Sequence, residues 1–180
     1  MRIISGTFQR RVLRPPANLP VRPTTDLAKE ALFSVIGNQM DIAGARVLDL
    51  FAGTGSISFE FASRGAEKVI SVDLNFKCIE YIKRVKNELN LQNLHPLRSD
   101  SFRYLKSCRQ QFDVIFADPP FDLEGTEAIA SLIFERSLLG PEGKLIIEHP
   151  GSKSFMATPG FVKERKYGKV HFSFFENNVE

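Results

Sequence analysis

The run Val47-Leu48-Asp49-Leu50-Phe51-Ala52-Gly53-Thr54-Gly55-Ser56 constrains this chain more than any other: a hydrophobic stretch broken by an acid and closed by two glycines one residue apart. A leucine- and valine-rich run bounded by glycine suits a strand covered on both faces. Ile57, Phe59, Phe61 and Ala62 then begin an apolar face that stops at Arg64-Gly65, so strand, tight loop and helix follow one another. Gly53 and Gly55 keep Cβ atoms out of the way of a ligand at the carboxyl end of a strand, where open α/β sheets bind ligands. Asp73 ends a second apolar run, Val69-Ile70-Ser71-Val72, at the distance a βαβ unit needs to put a carboxylate on a ribose.

The details of the loop narrow the ligand. A dinucleotide fingerprint asks for a third Gly or Ala, and Ser58 stands there; a phosphate-binding P-loop asks for a lysine, and none is near. Asp49 would repel a pyrophosphate but attract an ammonium or sulfonium. A nucleoside carrying positive charge is indicated, and S-adenosylmethionine fits. Asp49-Leu50-Phe51-Ala52-Gly53-Thr54-Gly55 resembles the first motif of the class I S-adenosylmethionine-dependent methyltransferases, which implies that Asp49, Phe51, Gly53 and Gly55 border the cofactor and Asp73 its ribose.

With 180 residues and 43% hydrophobic content, the chain can bury one substantial core. No apolar run approaches a membrane span and the first residues lack the apolar core of a secretory signal, so a cytoplasmic protein is expected. Cys78 and Cys108 have no paired spacing and no histidine cluster nearby, which argues against a metal site or a disulfide framework. The charge is uneven. Residues 1 to 23 hold Arg2, Arg10, Arg11, Arg14 and Arg22 and no acid, residues 151 to 180 are also net basic, and the middle is net acidic. Basic ends around an acidic centre suggest a polyanion gripped from the periphery.

In chain order, Arg2 to Gly6 and Arg11 to Leu13 predict two short strands around a polar turn, followed by a stiff link, Pro15 to Pro20. Arg22-Pro23-Thr24-Thr25-Asp26 predicts a helix start with Thr24 or Thr25 as N-cap, and Leu27, Ala28, Ala31, Leu32, Val35 and Ile36 recur at helical spacing as far as Gly37-Asn38. From Ala45 onward elements alternate. Strands are predicted at 46–50, 68–72, 94–98, 112–117 and 144–148, and helices at 56–64, 76–90, 101–109 and 124–138. Two extended runs, 161–167 and 169–175, then meet at Tyr167-Gly168. The reading is α/β: a doubly wound, mostly parallel, seven-stranded Rossmann-like sheet. It divides into a basic extension of hairpin and helix over 1–40 and a methyltransferase domain over 41–180.

Asp49, Asp73, Asp100 and Asp118 each follow or end an apolar run, so four carboxylates share one crevice. Asp100 suits the adenine amino group, or else caps the helix that begins at Ser101. Asp118-Pro119-Pro120-Phe121 is the most discriminating tetrapeptide. The Asp118 carboxylate and a carbonyl of the proline pair can hold both N–H donors of a nucleobase amino group, and Phe121 offers a face for the base to stack on. The motif resembles the Asp/Asn-Pro-Pro-aromatic motif of methyltransferases that act on exocyclic amino nitrogens. Together with Arg2-Ile3-Ile4-Ser5-Gly6, Arg10-Arg11, Arg22 to Asp26 with Glu30 and Phe33, and Glu148-His149, it makes nearly the whole chain resemble the bacterial small-subunit rRNA guanine-N2 methyltransferase D family. The resemblance implies methyl transfer to the 2-amino group of a guanine in 16S rRNA, free or in the small ribosomal subunit or its assembly intermediate. It further implies that Arg22 and Thr24 lie at the cofactor's methionine end, and that Arg2, Arg10, Arg11 and Arg14 contact RNA phosphates. His149 reads as a satisfied strand-end histidine, and a monomer is expected. A DNA amino-methyltransferase would need room for a target-recognition domain; a non-catalytic assembly factor on the same fold is the rival outside enzymes. A nicotinamide oxidoreductase is disfavoured by Ser58 and Asp49.

Overall fold

The computed structural model describes residues 1–21 and 24–177. Its centre is a sheet of β1 (Arg46–Leu50), β2 (Lys68–Asp73), β3 (Leu94–Arg98), β4 (Phe112–Ala117), β5 (Leu139–Pro150), β6 (Phe161–Tyr167) and β7 (Val170–Glu176), ordered β3-β2-β1-β4-β5-β7-β6. β1 to β5 are parallel, and β7 is antiparallel to β5 and β6. The connections carry α1 (Asp26–Gly37), α2 (Ser56–Ser63), α3 (Phe76–Glu88), α4 (Ser101–Ser107) and α5 (Ala128–Glu135). This is the doubly wound α/β architecture expected, with the hairpin on its edge. The strand order reverses between β1 and β4, where such a sheet leaves a crevice.

The period of two along each strand divides the core. On β4, Val114 and Phe116 join the layer under α1, α2 and α3 with Phe33, Phe59 and Phe61, while Ile115 and Ala117 join the layer under α4 and α5 with Leu105, Ile129 and Ile133. On β1, Leu48 and Leu50 face the second layer, which turns Asp49 toward α2. The N-terminal extension shares the first layer: Ile3, Leu13, Leu32 and Phe33 belong to the same cluster as Val47 and Phe61. Cys78 and Cys108 are buried and free. Among the described residues no helix is long and apolar enough to cross a membrane.

Four local expectations are corrected. The two N-terminal strands reduce to a single bridge, Arg2 with Val12, because Gly6 and Arg10 take positive φ and bend the turn onto α2. Thr25 caps α1 as read, accepting the Ala28 N–H at 3.2 Å, but Leu27 is 74% exposed and the buried face holds Lys29 instead. α5 starts later than position 124 because residues 121–127 turn, with Leu123 N–H on the Pro120 carbonyl and Ala128 N–H on the Gly125 carbonyl. It ends at Glu135 because Ser137 adopts φ 51° and Leu138 N–H returns to the Ile133 carbonyl. β5 begins five residues earlier than read, since Leu139 pairs Phe112 ahead of a register shift that precedes Lys144 opposite Val114.

Candidate active site

A cleft of about 1080 Å³ opens at the carboxyl ends of β1, β2 and β4. Thr24, Asp49, Phe51, Gly53, Asp73, Asp100, Asp118, Pro119, Pro120 and Phe121 all line it. These ten residues, singled out in the sequence, therefore share one cleft. Arg22 lies outside the described residues. Asn18, Pro20 and Val21 also line the cleft, so the proline-rich link is a wall of the site and not only a spacer.

The glycine loop is built around Asp73. Its carboxylate accepts the Gly53 N–H at 2.8 Å and the Asn75 N–H at 2.7 Å, one on each oxygen, which fixes the loop against the end of β2. Gly53 has φ 54°, and a Cβ added there would meet only ordinary van der Waals contact, with Val21 Cγ1 at 3.5 Å. Gly55 is not among the residues that line the cleft; at φ 75°, a Cβ there would stand 2.8 Å from Ile82 Cγ1 and 3.0 Å from Phe59 Cε2. It allows α2 to start tightly against α3, a packing requirement.

Asp49 is 2% exposed. Ser58 Oγ donates to its Oδ2 at 2.5 Å, and Ser71 Oγ lies 2.6 Å from Ser58 Oγ. Burial pushes the Asp49 carboxyl up to about 7; the Ser58 hydrogen bond opposes the shift and the charge of Asp73 adds to it. Asp49 therefore stays close to a proton at neutral pH, poised to take on full charge when a cation sits beside it. Ser58, which in sequence is only the absence of a third glycine, is its hydrogen-bond donor. Ser71 was legible only through register, since it pairs directly with Asp49 across β1 and β2.

At the other end of the cleft Asp100 does cap α4, its Oδ1 accepting the Arg103 N–H at 2.8 Å, and it lines the cleft as well. Phe102 meets Phe51 edge to face with ring centroids 6.3 Å apart, giving an apolar wall. The backbone of Asp118 is tied to β1 through its N–H on the Leu50 carbonyl at 3.3 Å. Pro119 is buried, Pro120 exposed, and Phe121 half-buried at the rim. Behind this loop Lys153, which the sequence reading passed over, donates to the Leu123 carbonyl at 3.0 Å and the Thr126 hydroxyl at 2.6 Å. His149 is satisfied, as read: Nδ1 donates to the Pro150 carbonyl at 2.9 Å, so Nε2 accepts from Ser173 Oγ at 2.8 Å, and burial lowers its pKa against the opposing pull of the Pro150 hydrogen bond and of Glu164.

Arg10, Arg11 and Arg14 are exposed. Arg2 is exposed as well and pairs with two acids, Asp26 at 3.6 Å and Glu30 at 3.2 Å.

A parallel sheet with this strand order, a glycine loop after β1 and a carboxylate at the end of β2 defines the class I S-adenosylmethionine-dependent methyltransferase fold. An Escherichia coli structure described as "Putative methyltransferase yhhF" superposes with a TM-score of 0.87 at 25% identity, covering 100% of this chain and 99% of that one. The Thermus thermophilus 16S rRNA N2 G1207 methyltransferase, solved with AdoMet and guanosine, shares the fold at a TM-score of 0.71 and 24% identity, over 90% of this chain and 45% of that one. A family model described as "Conserved hypothetical protein 95" matches residues 1–176. The Haemophilus influenzae ribosomal RNA small subunit methyltransferase D is 33% identical over 190 residues, 98% of this chain and 94% of that protein. Bacillus subtilis YlbH, provisionally named an rRNA methyltransferase, is 37% identical over 175 residues, 93% of this chain and 94% of that protein. The chain belongs to this family, that of the small-subunit rRNA methyltransferase D proteins.

Proposed function

We propose that the chain transfers the methyl group of S-adenosylmethionine to the 2-amino group of a guanine in 16S rRNA. The observation that carries this reading is the position of Asp118-Pro119-Pro120-Phe121 at the end of β4, lining the same cleft as the glycine loop and Asp73. The cofactor, when bound, supplies an electrophilic methyl on a sulfonium. Asp73 would hold the ribose hydroxyls with the lone pairs its two backbone bonds leave. Thr24 and Asp49 would face the cationic methionine end, and Asp100 the adenine amino group through the oxygen not used in capping.

Of the two proline carbonyls, that of Pro120 already accepts the Leu123 N–H at 3.0 Å. Pro119 is therefore the carbonyl that would share the amino group with the Asp118 carboxylate. Holding both N–H groups would turn the nitrogen lone pair toward the methyl group that the bound cofactor presents, and the Asp118 carboxylate would be placed to accept the excess N–H proton and pass it to water. No strong base is required, and catalysis rests on placement and on the fixed carboxylate and carbonyl dipoles. Stacking on Phe121 is worth about 1–3 kcal/mol and favours a base already unstacked from its helix.

Labelled S-adenosylmethionine offered to rRNA or small subunits lacking their modifications, followed by nucleoside analysis, tests this reading. Label in N2-methylguanosine that disappears in Asp118→Ala, with cofactor binding largely kept, supports it. Label in methylated adenine or cytosine keeps the mechanism and overturns the substrate. An unaltered biological effect in Asp118→Ala would favour the assembly-factor alternative.

A further inference from the structure

The segment that carries the exposed arginines is fastened to α2 by a buried charge pair that methyl transfer does not use. Lys29 and Glu60 are 1% and 0% exposed, with Nζ 3.6 Å from Oε2. Lys29 Nζ donates to the Arg2 carbonyl at 2.5 Å and to the Ser56 hydroxyl at 3.1 Å. Glu60 accepts the Ile4 N–H at 2.9 Å, the Ser5 N–H at 3.0 Å and Arg64 Nε at 2.8 Å. One turn further on, Ser63 Oγ donates to the Ser5 carbonyl at 2.7 Å and accepts the Phe8 N–H at 3.0 Å. Gly6 passes so close that a Cβ there would stand 1.9 Å from the Ser63 carbonyl oxygen.

Five of these seven hydrogen bonds are to backbone groups of residues 2–8, so they hold the segment in one register along α2. A buried ion pair is a poor route to stability alone, because desolvation offsets the attraction and well-packed apolar side chains of the same size do as well or better. It does impose position, since a charge shifted from its directed partners is left buried and uncompensated. Position matters at both ends of this network. Ser56 lines the cleft. Arg10, Arg11 and Arg14 are exposed and, among the described residues, their side chains have no hydrogen-bond or ion-pair partner.

We propose that Lys29 and Glu60 are positioning residues for the RNA substrate, holding the basic segment in register on α2 so that Arg10, Arg11 and Arg14 meet phosphates while the target base is in the cleft. This rests on the RNA reading above. The test uses the full chain, a 16S rRNA fragment, and the variants Glu60→Gln, Lys29→Met, the exposed triple Arg10→Gln/Arg11→Gln/Arg14→Gln, and the triple combined with Glu60→Gln. Read out are the salt dependence of RNA binding, KM for RNA against kcat, and cofactor affinity. The triple and Glu60→Gln should each make the slope of log K against log salt shallower by about two, at roughly 0.7–0.9 per lost phosphate contact. The combination should add little, because both act on the same contacts. KM for RNA should rise roughly tenfold in Glu60→Gln while kcat at saturating RNA and S-adenosylmethionine affinity stay near those of the unsubstituted chain. A lowered melting temperature with an unchanged slope, or fully additive slopes, overturns the proposal, as does a triple that leaves the slope alone. If Lys29→Met does not fold, the isosteric Glu60→Gln decides. Steep salt-sensitive RNA binding without methyl transfer sinks the enzyme reading but leaves the positioning test readable, whereas no salt-sensitive RNA binding removes both.

Discussion

Asp49 is the most deeply buried carboxyl lining the cleft. Its sign in stability follows from its raised pKa: an unfolded aspartate releases its proton near 3.8, and this one releases it at about 7. Between those values the folded chain keeps a proton that the unfolded chain has lost, so the Asp49 contribution falls as pH rises from about 4 to about 7 and is then flat. Asp49→Asn removes the titration. Its melting temperature, followed from pH 4 to pH 8, should decline less over that window than that of the unsubstituted chain, and its affinity for S-adenosylmethionine should drop; parallel melting profiles would contradict the assignment. The sequence made Asp49, Asp73 and the glycines legible because their spacing states a backbone geometry. It did not make Ser58 legible as a partner, because a hydroxyl in place of a small residue signals nothing until the helix is set against the strand. For Gly55 the pattern asks for glycine, and the packing against Ile82 and Phe59 supplies a reason that the sequence does not state.

Elements were read best where they end on glycine or a cap, as in α1 at Thr25 and Gly37, and worst where polar contacts from distant residues override local propensity. Residues 121–127 have the composition of a helix start yet form a turn, and Lys153, about thirty residues on, holds that turn through the Leu123 carbonyl and the Thr126 hydroxyl. Lys153→Met leaves both without their donor. It should lower kcat by roughly ten- to a hundredfold through loosened placement of Phe121 and the proline pair, with cofactor affinity kept; a change confined to KM for RNA would assign Lys153 to docking. The N-terminal turn offers a companion test of packing. Gly6 combines φ 86° with backbone only 1.9 Å from an added Cβ, so Gly6→Ala should cost upwards of about 2 kcal/mol in denaturant unfolding. Gly168, at φ 63° in the β6–β7 turn with open space around it, should lose only about 1 kcal/mol to Ala.

At the scale of the molecule, strands alternating with helices were enough to yield a parallel sheet, since parallel strands require crossovers and the crossovers here are helical. What composition did not convey is that the basic extension is part of the fold: α2 is buried on every side because residues 1–8 cover it, and the link at 18–21 forms a wall of the cleft. The site therefore draws on the extension and on β1, β2, β4 and α4 together, so a bound cofactor ties together parts of the chain distant in sequence. At a ligand concentration about a hundred times Kd, binding to the native state alone adds about 2.7 kcal/mol. For a chain of this length that corresponds to a rise of roughly 5–10 °C in melting temperature. S-adenosylmethionine should produce this rise in a single transition that includes the extension, and NADH should produce none. On the proposed reading, in which the Asp118 carboxylate holds the base, Asp118→Ala should keep most of the shift, whereas Asp73→Ala should lose it together with the anchoring of Gly53. A shift with NADH would point back to an oxidoreductase. Two separate transitions, only one of them moved by S-adenosylmethionine, would mean that the extension does not share the cofactor site with the sheet.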